Sequence, residues 1–195
     1  MNVLLYFGSF NPIHNGHIGL ALHLMENYNF DEIWFVVSPQ NPLKQKSSLW
    51  RDDIRYNLAK EALSKYNNFY VSDIEFNLPQ PNYTANTLRK LSELHNDKNF
   101  ALLIGEDNLK IFDKWFDYQY IIDNYSIYVY PRGAENKEEG YYQYKNIIRI
   151  KAPLFNISST IIRDKLRTGK SISGLVPQNI EQEIYNYYNK GLIIV

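Results

Sequence analysis

The stretch from Val3 to Met25, VLLYFGSFNPIHNGHIGLALHLM, decides how the rest of the chain is read. Val3–Phe7 is a short apolar run that stops at Gly8, which predicts a buried strand. After Pro12 and the turn residues Asn15 and Gly16, apolar side chains fall at Ile18, Leu20, Ala21, Leu22, Leu24 and Met25. That spacing predicts a helix from His17 to about Asn27 with a wide apolar face. A strand, a glycine turn and a helix in direct succession open an α/β unit.

The same alternation continues outward. Ile33–Val37 reads as a second buried strand, ended by Ser38-Pro39. Ser48 to about Lys65 reads as a helix capped by Ser48, with Ile54, Leu58, Ala62 and Leu63 on one side. Phe69–Val71 is a weaker third strand, followed by a proline-rich loop at Leu78–Asn82. Thr84 to His95 is helical, with Leu88, Leu91 and Leu94 in register. Phe100–Ile104 is a fourth strand, closed like the first by a glycine, Gly105. Ile127–Tyr130 and Ile147–Ile150 are the fifth and sixth strands, separated by a polar loop at Arg132–Gly140. A short helix at Ser159–Arg167 precedes Gly169, and a last helix starts at Pro177 and ends before Gly191. Strands alternating with helices predict a Rossmann-like, doubly wound, mostly parallel sheet with helices on both faces. The expected organisation is one domain over 1–195, with a helical portion from about 156 to 195 packed on it. Such sheets bind ligands at the carboxyl ends of their strands, so the ends at Gly8 and Gly105 are where chemistry is sought.

Composition narrows the partners. The 195 residues carry 21 basic and 21 acidic side chains, a net charge of zero. General nucleic-acid and membrane binders rely on a basic excess, so neither class of partner is expected. Any anionic ligand must be held by local groups. There is no cysteine, which removes disulfides and cysteine metal sites and is compatible with a reducing, cytoplasmic setting. The N-terminal residues lack the basic start and long apolar run of a signal peptide. No stretch approaches the roughly 18 apolar residues of a membrane helix. The 17 tyrosines are expected to be half-buried packing residues.

Two segments carry chemistry. In GSFNPIHNGH, Gly8 ends the first strand, Ser9 offers a small hydroxyl, and His14 and His17 bracket Asn15-Gly16 at the helix start. A strand–glycine–helix junction presents free backbone N–H groups and the positive helix end to an anion. Two imidazoles three residues apart would both aim at one phosphate; the bland alternative is one capping and one packing histidine. The segment is neither a GxGxxG fingerprint nor a Walker loop. A zinc site would need further ligands, and His23 and His95 lie in predicted helices without ligand-like spacing. In ISSTIIR, residues 157–163, Ser158 and Ser159 can cap the helix and Thr160 lies in its first turn. Arg163 stands four residues after Ser159 on the same face. Hydroxyls, free N–H groups and a guanidinium make a polyphosphate clamp; alone, the segment also reads as an ordinary capped helix with a surface arginine.

With both segments in hand, the chain resembles the nucleotidyltransferases marked by an N-terminal (H/T)xGH and a C-terminal SxTxxR-type signature. More closely, it resembles the bacterial nicotinate-nucleotide adenylyltransferases. The resemblance runs in order through GSFNPIHNGH, SPQNPLKQK, NYTANTL, ALLIGEDNLKIFDKWFDYQYI and ISSTIIRDKLRTGKSISGLVP. It implies adenylyl transfer from Mg-ATP to nicotinate mononucleotide, giving nicotinate adenine dinucleotide and pyrophosphate, in NAD biosynthesis. His14, His17 and Arg163 would be the catalytic residues. Gly8, Ser9, Phe10, Gly105, Asp107, Ile157, Ser158, Ser159 and Thr160 would bind ATP. Asp107 would accept from a ribose hydroxyl. Lys44, Thr84, Trp115 and Phe116 would bind the nicotinate nucleotide, with Trp115 stacked on the pyridine ring. Mg2+ would arrive with ATP rather than on protein ligands.

The resemblance has departures. Leu43 stands where a histidine is usual, which leaves Lys44 and Lys46 both as candidates for phosphate. Arg132-Gly133-Ala134 replaces the usual Arg-Pro-Gly and leaves the role of Arg132 open. An acceptor other than nicotinate mononucleotide, such as the nicotinamide nucleotide, stays as an alternative. So does a nucleotide-binding module without turnover. A homo-oligomer is compatible with this reading.

Overall fold

In the computed structural model, which describes residues 1–39, 49–131 and 144–193, six strands form one sheet and every strand pair is parallel. The strands are β1 (Asn2–Gly8), β2 (Glu32–Val37), β3 (Phe69–Ser72), β4 (Asn99–Gly105), β5 (Ser126–Tyr130) and β6 (Ile147–Arg149). The helices are α1 (Asn15–Asn27), α2 (Asp52–Leu63), α3 (Thr84–Leu94), α4 (Glu106–Leu109), α5 (Tyr118–Asn124), α6 (Ser159–Arg167) and α7 (Gln178–Asn189). The spatial order is β3-β2-β1-β4-β5-β6. The chain therefore builds outward from β1 in one direction, returns, and builds outward from β4 in the other. The reversal makes a crevice between the carboxyl ends of β1 and β4, the usual ligand position in such sheets. Tyr6 of β1 is level with Leu103 of β4, and continuing that register by two residues sets Gly8 level with Gly105.

The central strands read as unbroken apolar runs because both of their faces are covered. Leu4, Ile33, Phe35, Ala101 and Leu103 join one core with residues from α1, α2, α6 and α7. Val3, Leu5, Val36, Phe100, Leu102 and Ile104 join a second core with residues from α3 and α5. Successive side chains of a strand point to opposite faces, so the central strands β1, β2 and β4 each feed both cores. Many tyrosines are half-buried at the margins of these cores, as their composition suggested.

Two helix starts and two short helices differ most from the sequence reading. The second helix starts at Asp52, not Ser48, and Ser48 lies outside the described residues. Asp52 and Asp53 occupy its first turn, where negative charge suits the helix dipole. Buried Trp50 anchors the approach to it. Helix α1 begins two residues earlier than the apolar spacing predicted, because His14 rather than His17 is its cap. Helices α4 and α5 have no counterpart in the sequence reading; each is under eight residues, too short for helical periodicity to register. Gly169 and Gly191 follow α6 and α7 with φ of +65° and +67°, the left-handed geometry expected after a helix end.

Candidate active site

The β1–α1 turn is organised by a reciprocal pair. His14 sits in extended backbone geometry as the N-cap of α1, and its Nδ1 accepts from the backbone N–H of His17 at 3.3 Å. His17 returns the bond: its Nδ1 accepts from the backbone N–H of His14 at 3.2 Å. This is a capping box built from two imidazoles. A backbone amide can only donate, so both Nδ1 atoms must be unprotonated. In the neutral rings the proton therefore resides on Nε2 of each. Capping thus converts the two histidines into two N–H donors directed away from the helix's own amides. The rings stack with centroids 3.6 Å apart and planes 20° apart. Two charged imidazolium rings would repel at that distance, and burial pushes His14 down to about 4 from 6.5. Tyr6 and Phe10 close on the His17 ring edge-to-face at 5.8 and 5.1 Å.

Small residues make room for this packing. A Cβ on Gly16 would stand 3.1 Å from the His14 Nδ1, and one on Gly19 would stand 2.5 Å from a ring carbon of Phe155. Phe155 thus seats directly on α1. A Cβ on Gly8 would stand 2.9 Å from the Phe10 ring, which folds back over the strand end with φ of +41°.

Helix α6 is docked onto this turn from a distance of about 150 residues in sequence. Ser158 caps α6 by accepting from the Ile161 N–H at 3.2 Å. Ser159 donates to the carbonyl of Pro12 at 2.9 Å. Arg163 donates to the carbonyl of Asn11 at 2.8 Å and reaches the Thr160 hydroxyl at 3.3 Å. Its guanidinium is half-buried, which lowers its pKa, yet it remains charged at any ordinary pH. Tyrosine hydroxyls guide the approach: Tyr130 donates to the Pro153 carbonyl and accepts from the Phe155 N–H, at 2.9 and 3.1 Å. Asn15 ties the same turn to the segment before α7, donating to the carbonyls of Gly174 and Val176 at 2.9 and 3.2 Å.

The fold therefore brings His14, His17, Ser159 and Arg163 together around one turn. Ser159 spends its single proton on Pro12, so it joins the two segments and keeps only acceptor capacity. Ile157 is half-buried against the core, and Thr160 is exposed beside Arg163. Gly105 precedes α4 as its N-cap, and Asp107 is exposed in the first turn of that helix. Thr84 opens α3. Phe116 is half exposed and stacks on Tyr83 at 4.7 Å between centroids, while Trp115 packs on Phe112 at 5.1 Å. Among the described residues, the buried Trp115 Nε1 has no hydrogen-bond partner. Lys44, Lys46 and Arg132 lie outside the described residues. Among the described residues, no group of three or more histidine, cysteine or acidic side chains is arranged to hold a metal ion. His23, on α1, donates through Nε2 to the Lys151 carbonyl at 2.7 Å, and His95 packs edge-on to Trp34 beyond α3.

Sequence reasoning missed Arg55. Its side chain is fully buried, and it donates to the carbonyls of Trp50, Ser9, Ser38 and Pro39 and to the carboxylate of Asp52. It ties together the ends of β1 and β2. The available signal was positional: an arginine on the same helical face as Leu58 and Ala62 must find polar partners inside.

Comparison with known proteins places these features in a family. Residues 5–165 match the family model described as cytidylyltransferase-like. A probable nicotinate-nucleotide adenylyltransferase of Flavobacterium psychrophilum is 44% identical over 193 residues, covering 97% of this chain and 100% of that protein. One of Bacteroides fragilis, with the same description, is 44% identical over 168 residues, covering 86% and 83%. The solved structure of Plasmodium falciparum nicotinic acid mononucleotide adenylyltransferase complexed with NaAD superposes with a TM-score of 0.74 at 23% identity, covering 96% of this chain and 97% of the other. That last likeness is one of fold.

Proposed function

Because this chain belongs to the cytidylyltransferase-like family and, within it, to the nicotinate-nucleotide adenylyltransferases, we propose that the β1–α1 turn and the start of α6 grip ATP while α3 and the Trp115 segment receive the mononucleotide. The enzyme transfers the adenylyl group of ATP to nicotinate mononucleotide, yielding nicotinate adenine dinucleotide and pyrophosphate in NAD biosynthesis. A phosphate oxygen of the mononucleotide forms a bond to the α-phosphorus as the bond to the pyrophosphate oxygen breaks on the opposite side. The nucleophile is already anionic, so no strong base is required. Positioning and stabilisation of spreading negative charge do most of the work.

The observation that carries this reading is the paired Nδ1 capping of His14 and His17. It presents two Nε2–H donors at the positive end of α1, beside the crevice at the end of β1. His17, the more accessible ring, donates to the α-phosphate in the transition state, and His14 adds the second donor. Arg163, Ser158 and Thr160 bind the β- and γ-phosphates. Ser159 serves ATP by holding α6 against Pro12. Gly8, Ser9 and Phe10 line the nucleotide, with Ile157 beneath it and Asp107, after Gly105, accepting from a ribose hydroxyl. Trp115 stacks on the pyridine ring, and Thr84 with backbone near Phe116 meets its carboxylate. Lys44 or Lys46 meets a phosphate.

The donors gathered here are N–H groups and a guanidinium, which suit anions and repel a bare cation. Mg2+ would therefore come with ATP rather than on protein ligands, and would supply charge neutralisation at the phosphates. Residues 1–195 act as one nucleotidyltransferase unit with 156–195 packed on the sheet. No helix among the described residues is long and apolar enough to cross a membrane, and a cytoplasmic location suits substrates of this kind. Nucleic acid is not expected as a partner, given the balanced charge.

The test is pyrophosphate release from Mg-ATP with either nicotinate or nicotinamide mononucleotide. The reading expects strong preference for the acid. Equal use or amide preference would change the acceptor, and no release with either would overturn it.

A further inference from the structure

The motif Tyr83-Thr84-Ala85-Asn86-Thr87-Leu88 contains a second threonine that the site above leaves without a role. Thr87 is fully buried on α3, so its hydroxyl must find an acceptor inside the protein. It donates to Oε1 of Glu75 at 2.8 Å. The Tyr83 carbonyl is also near, but at 3.4 Å it is a much weaker acceptor. Glu75 is itself only 3% exposed, and carboxyl groups lie so deep only when polar groups hold them. Thr87 holds it from α3, and the Ser38 hydroxyl, immediately after β2, favours its charged form from the sheet side. One residue's backbone adds a third tie: the Asn82 side chain donates to the Glu75 carbonyl at 2.8 Å.

These bonds matter because, among the described residues, no side chain caps the amides at the start of α3. The buried carboxyl of Glu75 fixes where that first turn sits, gripping Thr87 and, through its backbone, Asn82 on either side of Tyr83 and Thr84. Tyr83 in turn stacks on Phe116, which follows Trp115.

We propose that Glu75 and Thr87 are positioning residues for the mononucleotide. Their buried hydrogen bond sets the first turn of α3, and with it Thr84 and the Tyr83–Phe116 stack, against the end of β2. The proposal rests on the mononucleotide site assigned above and adds the groups that shape it. A polar pair serving only stability would alter unfolding and leave substrate recognition alone.

The experiment is steady-state kinetics on the whole protein, with thermal unfolding measured in parallel, for Thr87→Val, Thr87→Ser, Ser38→Ala and Trp115→Ala. Thr87→Val keeps the shape and removes the donor. It is expected to raise KM for nicotinate mononucleotide about tenfold while KM for ATP moves less than about twofold. Thr87→Ser restores the donor and is expected to recover most of the loss. Should Thr87→Val not fold, Ser38→Ala decides, with an expected rise of about threefold in the same KM alone. An unchanged mononucleotide KM in the folded Val variant, or in Ser38→Ala where that variant decides, overturns the inference, whatever happens to the melting temperature. If Trp115→Ala raises that KM and Thr87→Val does not, the inference alone fails. If Trp115→Ala leaves it unchanged too, the mononucleotide site fails with it.

Discussion

His14 and His17 each accept the other's backbone N–H through Nδ1, at 3.3 and 3.2 Å, and stack at 3.6 Å between ring centroids. The arrangement joins structure to chemistry in the same two rings. The inner nitrogens start the helix, and the outer ones are left as donors in a tautomer set by the backbone.

Removing His17 deletes one outer donor and one cap contact. His17→Ala is expected to lower turnover about a hundredfold or more, the usual cost of one transition-state donor. The lost cap should cost only about 1 kcal/mol of stability. Single-turnover rates beside circular dichroism would check this; near-normal turnover in the folded variant would remove His17 from the mechanism.

His14 links stability to pH. Its folded pKa of about 4 lies below the ordinary 6.5 because burial disfavours the charged ring. Between those values the unfolded chain binds the extra proton, so stability falls as pH drops from 6.5 towards 4 and is fully present above 6.5. The full effect is about 3 kcal/mol. His14→Asn keeps a capping acceptor without a titrating ring. Urea midpoints from pH 7 to 4.5 should fall less for the variant than for the parent, and parallel curves would contradict the assignment.

Arg163 bridges the two chemical segments through the Asn11 carbonyl. Arg163→Ala is expected to weaken ATP binding by about 1.5–3 kcal/mol, the range for a charge-assisted contact, with a smaller effect on the mononucleotide. An unchanged Michaelis constant for ATP would count against the role.

Arg55 is predicted to matter for folding first. Arg55→Met fills much of the space but leaves the carbonyls of Ser9, Ser38, Pro39 and Trp50 without their donor. A loss of about 3–5 kcal/mol is expected, because several buried carbonyls lose their donor at about 1–3 kcal/mol each. Chemical denaturation reads it directly; a loss under 1 kcal/mol would mean that other donors replace the guanidinium.

Much of this was legible before any coordinates. Apolar runs at Val3–Phe7 and Phe100–Ile104, each closed by a glycine, announced buried parallel strands, because a strand covered on both faces has no polar side to alternate. The HNGH turn and ISSTIIR pointed to anion chemistry only as a pair, because each alone also reads as an ordinary capped helix start. The short helices α4 and α5 were not legible, since fewer than eight residues give no helical period.

Pairwise placement was decided only by the tertiary structure. Local sequence determines which segments are strands, helices and caps, because those depend on neighbours within about one turn. It says nothing of Ser159 meeting Pro12, Arg163 meeting Asn11, or Thr87 meeting Glu75. Those partners face each other because the β3–β4 crossover carries α3, and the segment after β6 carries α6, back against the sheet. Once there, a buried hydroxyl or guanidinium must be satisfied by whatever polar group the packing has put within reach.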